Sequence, residues 1–417
     1  MCTLKIGLAK KEITPPIGPE LCGYGYHLKR QNVGVSDPLY VRNTAFVQDE
    51  KRYLLVNCDL EGVDTKYYDI IKAAIANRLQ LSPDDMLLAV IHTHTAPAFY
   101  NLCGCGEADP DYVEWAKDVI IDCACEAFCE LREVTGAKIS SIDVPNFGFD
   151  RTYSDIKLNT GLRALTFEFA EGRPYVLLNY GCHPVSYGIA NIVSAEYPGA
   201  CIAALDKAGY DANFLVGFCG DVDPSDKRDY NNVLQKGGLL AEKYLESMQN
   251  AVAMDDLTMK WASMDANIKL NIQTEEMIDM EVARYMKNAN ENNYDAFVKV
   301  TGVWTDVNRK RLAGELPETE LVHLRFLSIG KVLIAGISAE VTTELGDMIA
   351  EEFPDYTVFT MGNLFDTRRY IASNILFDKY TYEGMHSTFA YGTTPIVKGE
   401  GERMISETCA KAKKIMA

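Results

Sequence analysis

A long apolar run near the start is lacking: the opening, MCTLKIGLAKKEITPPIG, alternates and then turns at Pro15 and Pro16, which predicts a chain without a secretory signal. The sequence lacks any run of the roughly eighteen apolar residues that cross a bilayer. Ser/Gly-rich and Pro-rich linkers and low-complexity tracts are also missing, which excludes a string of loosely tethered modules. Basic charge is in short supply. The 41 Lys and Arg against 59 Asp and Glu leave a formal charge of −18, which repels phosphate backbones and anionic lipid surfaces. Together these absences predict a soluble, cytoplasmic globular chain with no nucleic-acid partner and no stable membrane association. Histidine is scarce too, six residues in 417, so the positions of those six carry information.

Cysteine is present, twelve in all, but spread thinly over a long chain whose start predicts no leader, a pattern that fits reduced thiols better than a disulfide framework. Cys103 and Cys105, with Cys123, Cys125 and Cys129, do not follow a usual zinc spacing. Cys125 and Cys129 fall four apart in a run expected to be helical, so this group reads as small buried packing residues.

Short runs rich in Val, Ile and Leu that end abruptly in polar residues predict buried strands at 53–59, 85–94, 173–184, 212–224 and 331–340. Amphipathic stretches follow each of them, including TKYYDIIKAAIANRLQ and DYVEWAKDVIIDCACEAFCELRE. Strand alternating with helix argues for an α/β fold with a mixed, largely parallel sheet covered by helices. Clearer alternation at 137–145, 165–172 and 261–272 predicts an antiparallel part of the sheet or a second sheet. Residues 1–417 read as one domain, with a polar helical insertion at about 274–317.

In open α/β sheets, ligands bind beyond the carboxyl ends of strands. Here those ends carry Asp59, His92-Thr93-His94, Cys182-His183-Pro184, Gly220-Asp221-Val222-Asp223-Pro224 and Glu340. Three of the six histidines fall there. Zinc takes neutral imidazole and carboxylate ligands and keeps one position for water in catalytic sites, so His92, His183 and Glu340 form a plausible ligand set. A His-x-His on a strand would put His92 and His94 on one face, leaving either both to bind or one to work on substrate. His27 and His323 read as ordinary core or surface residues. GFCGDVDPSD lacks the alternate ligands and closing Glu of a calcium loop, and IVKGEGERM reads as a surface turn.

At these same residues the sequence resembles the neutral/alkaline ceramidase family, in its N-terminal catalytic domain. IGLAKKEITPPIGPELCGYGY, DPLYVRNTAFVQDEKRYLLVNCDL, VIHTHTAP, GFDRTYS, NYGCHPVSYG, ISAEVTTELG and YTYEGMHSTFAYG are similar, in order, to segments along nearly the whole of that domain; VIHTHTAP is the most specific. The resemblance implies one zinc ion held by His92, His183, Glu340 and Tyr382, with Tyr382 resting on the resemblance only. It also implies His94 and Arg151 as substrate or transition-state contacts. Two departures stand out: Asp223 occupies the place of a catalytically important serine, and the resemblance stops at Ala417, short of the family's C-terminal β-sandwich, so that a short cytosolic homologue is the expectation.

The expected function is zinc-dependent hydrolysis of an amide, lactam or related acyl bond in a small soluble substrate, with another divalent metal as an alternative to zinc. His94, Arg151 and Asp223 are the expected catalytic residues, Asp223 orienting water or taking a cationic substrate group. Ester or lactone hydrolysis by the same centre is the second reading, and a non-catalytic metal or small-molecule binder on the same scaffold the third. A homo-oligomer is the common outcome for enzymes of this kind.

Overall fold

The computed structural model describes residues 3–25, 28–99, 102–153, 158–378 and 380–417. His27 lies outside the described residues.

The larger sheet runs through Leu4–Glu12 (β1), Tyr40–Gln48 (β2), Lys51–Cys58 (β3), Met86–Val90 (β4), Leu131–Asp143 (β5), Gly161–Phe169 (β6), Tyr175–Tyr180 (β7) and Asp211–Val216 (β8). Their spatial order is β8-β7-β6-β5-β1-β2-β3-β4. Both outermost pairs, β7 with β8 and β3 with β4, are parallel. Every pair between them is antiparallel. The α/β class and the mixed sheet therefore match expectation, whereas parallel pairing is confined to the edges of this sheet. The physical reason is that a strand buried on both faces is apolar throughout, whichever direction its neighbour runs.

A second sheet is formed by Met259–Lys269 (β9), Thr319–Ile329 (β10), Val332–Ile337 (β11) and Thr357–Met361 (β12), in that order, with β11 and β12 parallel. The two sheets close on a shared core that joins Phe46, Tyr53 and Leu55 of the first to Leu327, Ile334 and Phe359 of the second.

The long helices are Thr65–Leu79 (α1), Pro110–Glu126 (α2), Glu196–Lys207 (α3), Tyr230–Ser247 (α4), Glu275–Tyr285 (α5), Tyr294–Leu312 (α6), Thr343–Glu352 (α7) and Glu400–Met416 (α8). Side chains of α1 to α4 cover the outer face of the first sheet, and those of α7 and α8 cover the second. Local signals start several of them. Asp64, Asp109 and Asp229 each accept a hydrogen bond from a backbone N–H of the first turn, and Pro110 opens α2.

Among the described residues no helix is long and apolar enough to cross a membrane, and the described cysteines are free thiols. The run expected to be helical through Glu133 stops at Glu126, and β5 begins at Leu131. Cys123 is thus buried on α2, whereas Cys129, beyond its end, is exposed. Lys398 and Gly399 form the expected turn, which leads into α8, a helix the strand–helix pattern did not single out.

Within 274–317 the chain forms α5 and α6. The α5–α6 pair does more than cover a surface: Tyr285 and Trp304 stack on Phe389, with ring centroids 3.9 and 4.3 Å away. Phe389 lies in the segment between Tyr382 and Tyr391, so the helical pair braces one wall of the site described next.

Candidate active site

The parallel edge pairs lie at opposite ends of the strand order, yet the sheet curls until they meet. The Asn57 amide of β3 donates to Asn213 Oδ1 (2.9 Å) and to the Phe214 carbonyl (2.8 Å) of β8. This closure brings the polar loop after β4 against the polar loop after β7. His94 N donates to the Pro184 carbonyl at 3.4 Å, and the His92 and His183 rings approach to 5.2 Å between centroids.

The strand before His92 ends at Val90, so His92 and His94 are not side by side on a pleated face as expected. Instead His92 takes a left-handed backbone with φ of 61°, a conformation that costs a non-glycine residue on the order of 1–3 kcal/mol and persists where its surroundings enforce it. Those surroundings are backbone hydrogen bonds from Ile91 to Cys58 and from Thr93 to Leu60. The resulting turn directs both imidazoles inward, with Nε2 atoms 3.2 Å apart. Gly23 lets the N-terminal loop close on this turn: a Cβ there would come within 2.5 Å of His94 Cγ.

Glu340 arrives from the second sheet. Glu340–Val341 pairs in parallel with Tyr370–Ile371, which sets Tyr370 directly beside Glu340. Glu340 Oε2 lies 3.0 Å from His183 Nε2 and 3.2 Å from His92 Nε2. Its other oxygen accepts from the Tyr391 hydroxyl. His92 Nδ1 is 2.8 Å from the Glu61 carbonyl, an arrangement that turns Nε2 toward the cluster.

Burial works against charge here, and the outcome differs by residue. The neighbouring Glu340 carboxylate outweighs burial at His92 and raises its pKa to about 9. Burial prevails at His183, and at His94, where it is joined by His92 and His183; both pKa values are lowered. Against the burial of Glu340, the two adjacent histidines hold its carboxyl well below the usual range.

These residues suit a divalent cation. Ligand atoms of His92, His94 and His183 all lie within 4.8 Å of one another. Donors at about 2.0–2.1 Å from one tetrahedral zinc are separated from each other by roughly 3.3 Å, close to the 3.0 and 3.2 Å between Glu340 and the two histidines.

Tyr382 lies one step outward. Its ring meets the edge of Tyr370 at 5.6 Å, and the residue is 40% exposed. Two other phenols reach the cluster: the Tyr370 hydroxyl is 3.5 Å from His183 Nε2, and that of Tyr391 bonds Glu340. Sequence reasoning passed over Tyr370, Tyr391, Glu383 and Arg228. In sequence, the nearest signal for Tyr370 was its neighbourhood of Arg368 and Arg369 in an otherwise irregular loop.

Arg151 and Asp223 do meet. Short strands Gly148–Asp150 and Val222–Pro224 pair antiparallel, and Arg151 follows directly. Its Nε donates to Glu383 Oε1 (2.8 Å), Nη1 to Asp223 Oδ1 (3.3 Å), and Nη2 to the Gly220 carbonyl (2.7 Å) and the Tyr370 hydroxyl (3.2 Å). Asp223 Oδ2 pairs with Arg228. Burial would raise the Asp223 pKa, but Arg151, His183 and Arg228 lower it, so it is a carboxylate. Each Asp223 oxygen thus faces a guanidinium, Arg151 on one side and Arg228 on the other, while the residue lines the cleft described below. Asp59 and His323 lie in networks of their own: Asp59 pairs with Arg42 at 2.6 Å, and His323 with Asp265 at 2.7 Å.

A cleft of about 560 Å³ opens over this arrangement, lined by His94, Arg151, Asp223, Arg228, Tyr370, Tyr382 and Glu383 among others. One helical turn of π type, Tyr382–His386, brings Tyr382 and Glu383 to its wall.

No protein-family model and no curated protein matches the sequence. Among solved structures, the chain is similar to a ceramidase complexed with C2, with a TM-score of 0.76 and 15% identity, over 99% of this chain and 75% of that one. It is also similar to neutral ceramidase from Pseudomonas aeruginosa, with a TM-score of 0.73 and 16% identity, over 100% of this chain and 76% of that one. At such identities the likeness is one of architecture: this chain has the fold of a neutral ceramidase-like domain.

Proposed function

We propose that this chain is a metal-dependent hydrolase that cleaves an amide bond in a small, polar substrate. The observation that carries the reading is the convergence of His92, His94 and His183, two of them on Glu340 Oε2, next to an open cleft that His94 lines. The resemblance of fold to ceramidases favours amide over ester cleavage.

His92, His183 and Glu340 are the proposed ligands. The 3.5 Å approach of the Tyr370 hydroxyl to His183 favours Tyr370 over Tyr382 as the fourth. When bound, a divalent cation, of which zinc best suits this donor set, supplies Lewis acidity to a carbonyl oxygen and lowers the pKa of water. His94, a neutral imidazole facing the cleft, accepts a proton from the attacking water and returns it to the departing nitrogen. Arg151, fixed by four hydrogen bonds, contributes positive potential beside the carbonyl oxygen as negative charge builds there. The carbon–nitrogen bond breaks; hydroxide from water joins the acyl carbon and a proton joins the nitrogen.

The charged and polar side chains of the described lining, such as Arg151, Asp223, Arg228 and Glu383, favour a substrate that carries a polar group. Metal analysis of the purified protein tests the reading, with turnover of small N-acyl compounds before and after chelation. We expect about one divalent ion per chain, with activity that disappears on chelation and returns with zinc. Full turnover by metal-free protein would overturn it.

A further inference from the structure

The cleft wall beyond the histidines pairs its charges unevenly. Glu383 uses one oxygen for Arg151 and the other for the Thr152 hydroxyl. Asp223 uses its two for Arg151 and Arg228. Arg151 is engaged through all three of its nitrogens. Arg228 is the exception: Nη2 meets Asp223, its side chain is 38% exposed against 23% for Arg151, and it lines the cleft. Among the described residues each carboxylate in this wall already faces an arginine, whereas the Arg228 guanidinium meets one partner, Asp223.

Arg228 is also held in position. Asp223 anchors its tip, and its stem rests on the turn after His183 at Gly188, where a Cβ would come within 2.9 Å of Arg228 Cβ. Asp223, standing where the resembling family carries serine, thus brings a second arginine to the cleft. A guanidinium with a free edge takes a carboxylate through two parallel hydrogen bonds.

We infer that Arg228 is the recognition residue for a carboxylate on the substrate, which makes the substrate an N-acyl amino acid or another amide with an acidic group near the scissile bond. The inference rests on the hydrolase reading only for the word substrate, since binding can be read apart from cleavage.

The test is calorimetric titration of zinc-loaded protein with N-acetylglycine and with N-acetylethanolamine, which carries a hydroxyl in place of the carboxylate. Released amine is assayed in the same samples. Charge-assisted hydrogen bonds of this kind predict about 10- to 100-fold tighter binding of N-acetylglycine. Arg228→Gln should erase that preference, and Arg228→Lys should keep part of it. Equal binding of the two compounds, no binding of either, or a preference that survives in Arg228→Gln would overturn the inference. Preference without amine release would keep the carboxylate site and count against the hydrolase; release without preference would do the reverse.

Discussion

His323 and His183 are both buried beside carboxylates, yet their surroundings are opposite in stoichiometry. His323 is one imidazole between two acids, with Nδ1 2.7 Å from Asp265 and Nε2 3.4 Å from Asp366. Arg325 adds to the first acid and Arg368 to the second. Both ring nitrogens have partners, and each carboxylate has a cation of its own. At the cleft the ratio is inverted: His92 and His183 share a single carboxylate oxygen of Glu340, and His94 Nε2 lies 3.2 Å from His92 Nε2. Two imidazoles on one acceptor oxygen leave a mismatch that a cation held by the proposed ligands His92, His183 and Glu340 would resolve, with His94 beside it. The number of imidazoles per acid, and whether their Nε2 atoms point at a common spot, separates a structural histidine from a ligand better than burial does.

Breaking the inverted cluster should have the largest effect. His183→Ala removes one of the two nitrogens beside Glu340 Oε2, so the protein should purify without its metal and without measurable turnover. Metal content and activity measured on one preparation check this, and normal metal occupancy in the variant would refute the assignment of His183. His94→Gln sharpens the comparison within the cluster. If His94 handles protons rather than metal, occupancy should persist while kcat falls by about 10²- to 10⁴-fold, the usual contribution of a positioned acid–base group. Loss of the ion from His94→Gln would instead make His94 a ligand.

The sequence revealed this cluster through position. His92, His94, His183 and Glu340 each follow a short buried strand, and such ends share one side of an α/β layer. The curl that joins the two edges of the sheet could not be read, because it depends on polar cross-links such as Asn57 to Asn213, whose residues look like any others within a strand. Parallel pairing was overestimated for a related reason: strands such as Leu54–Cys58 and Tyr175–Tyr180 are buried on both faces, and their apolar runs hold no record of direction. Tyr370 was hidden differently. It comes beside Glu340 through a two-residue parallel ladder, too short for periodicity, in a chain with 23 tyrosines. The resemblance led to Tyr382, twelve residues downstream on the outer side of the Tyr370 ring. Arg228 had no signal of its own, and gains meaning only once Asp223 is seen to hold it.

The opposite test is to disturb the self-sufficient cluster. His323→Asn deletes an imidazole that bridges Asp265 and Asp366 without touching the cleft lining. Asp366 is almost fully buried, and it would keep its contacts with Thr65 and Arg368. The loss is therefore that of one bridge beside a partly compensated buried acid, about 1–3 kcal/mol of stability. Denaturant unfolding should register that decrease while metal content and kcat/KM stay at wild-type values. A drop in metal occupancy here would mean that the two clusters are coupled through the second sheet, since Glu340 follows β11 and His323 lies on its neighbour β10, where Ser338 N donates to the His323 carbonyl at 3.0 Å. Together with the bond from His323 N to Ser338 Oγ (2.8 Å), that connection uses only backbone atoms of residue 323, which an asparagine retains, so the expected result is a protein that is less stable and no less active.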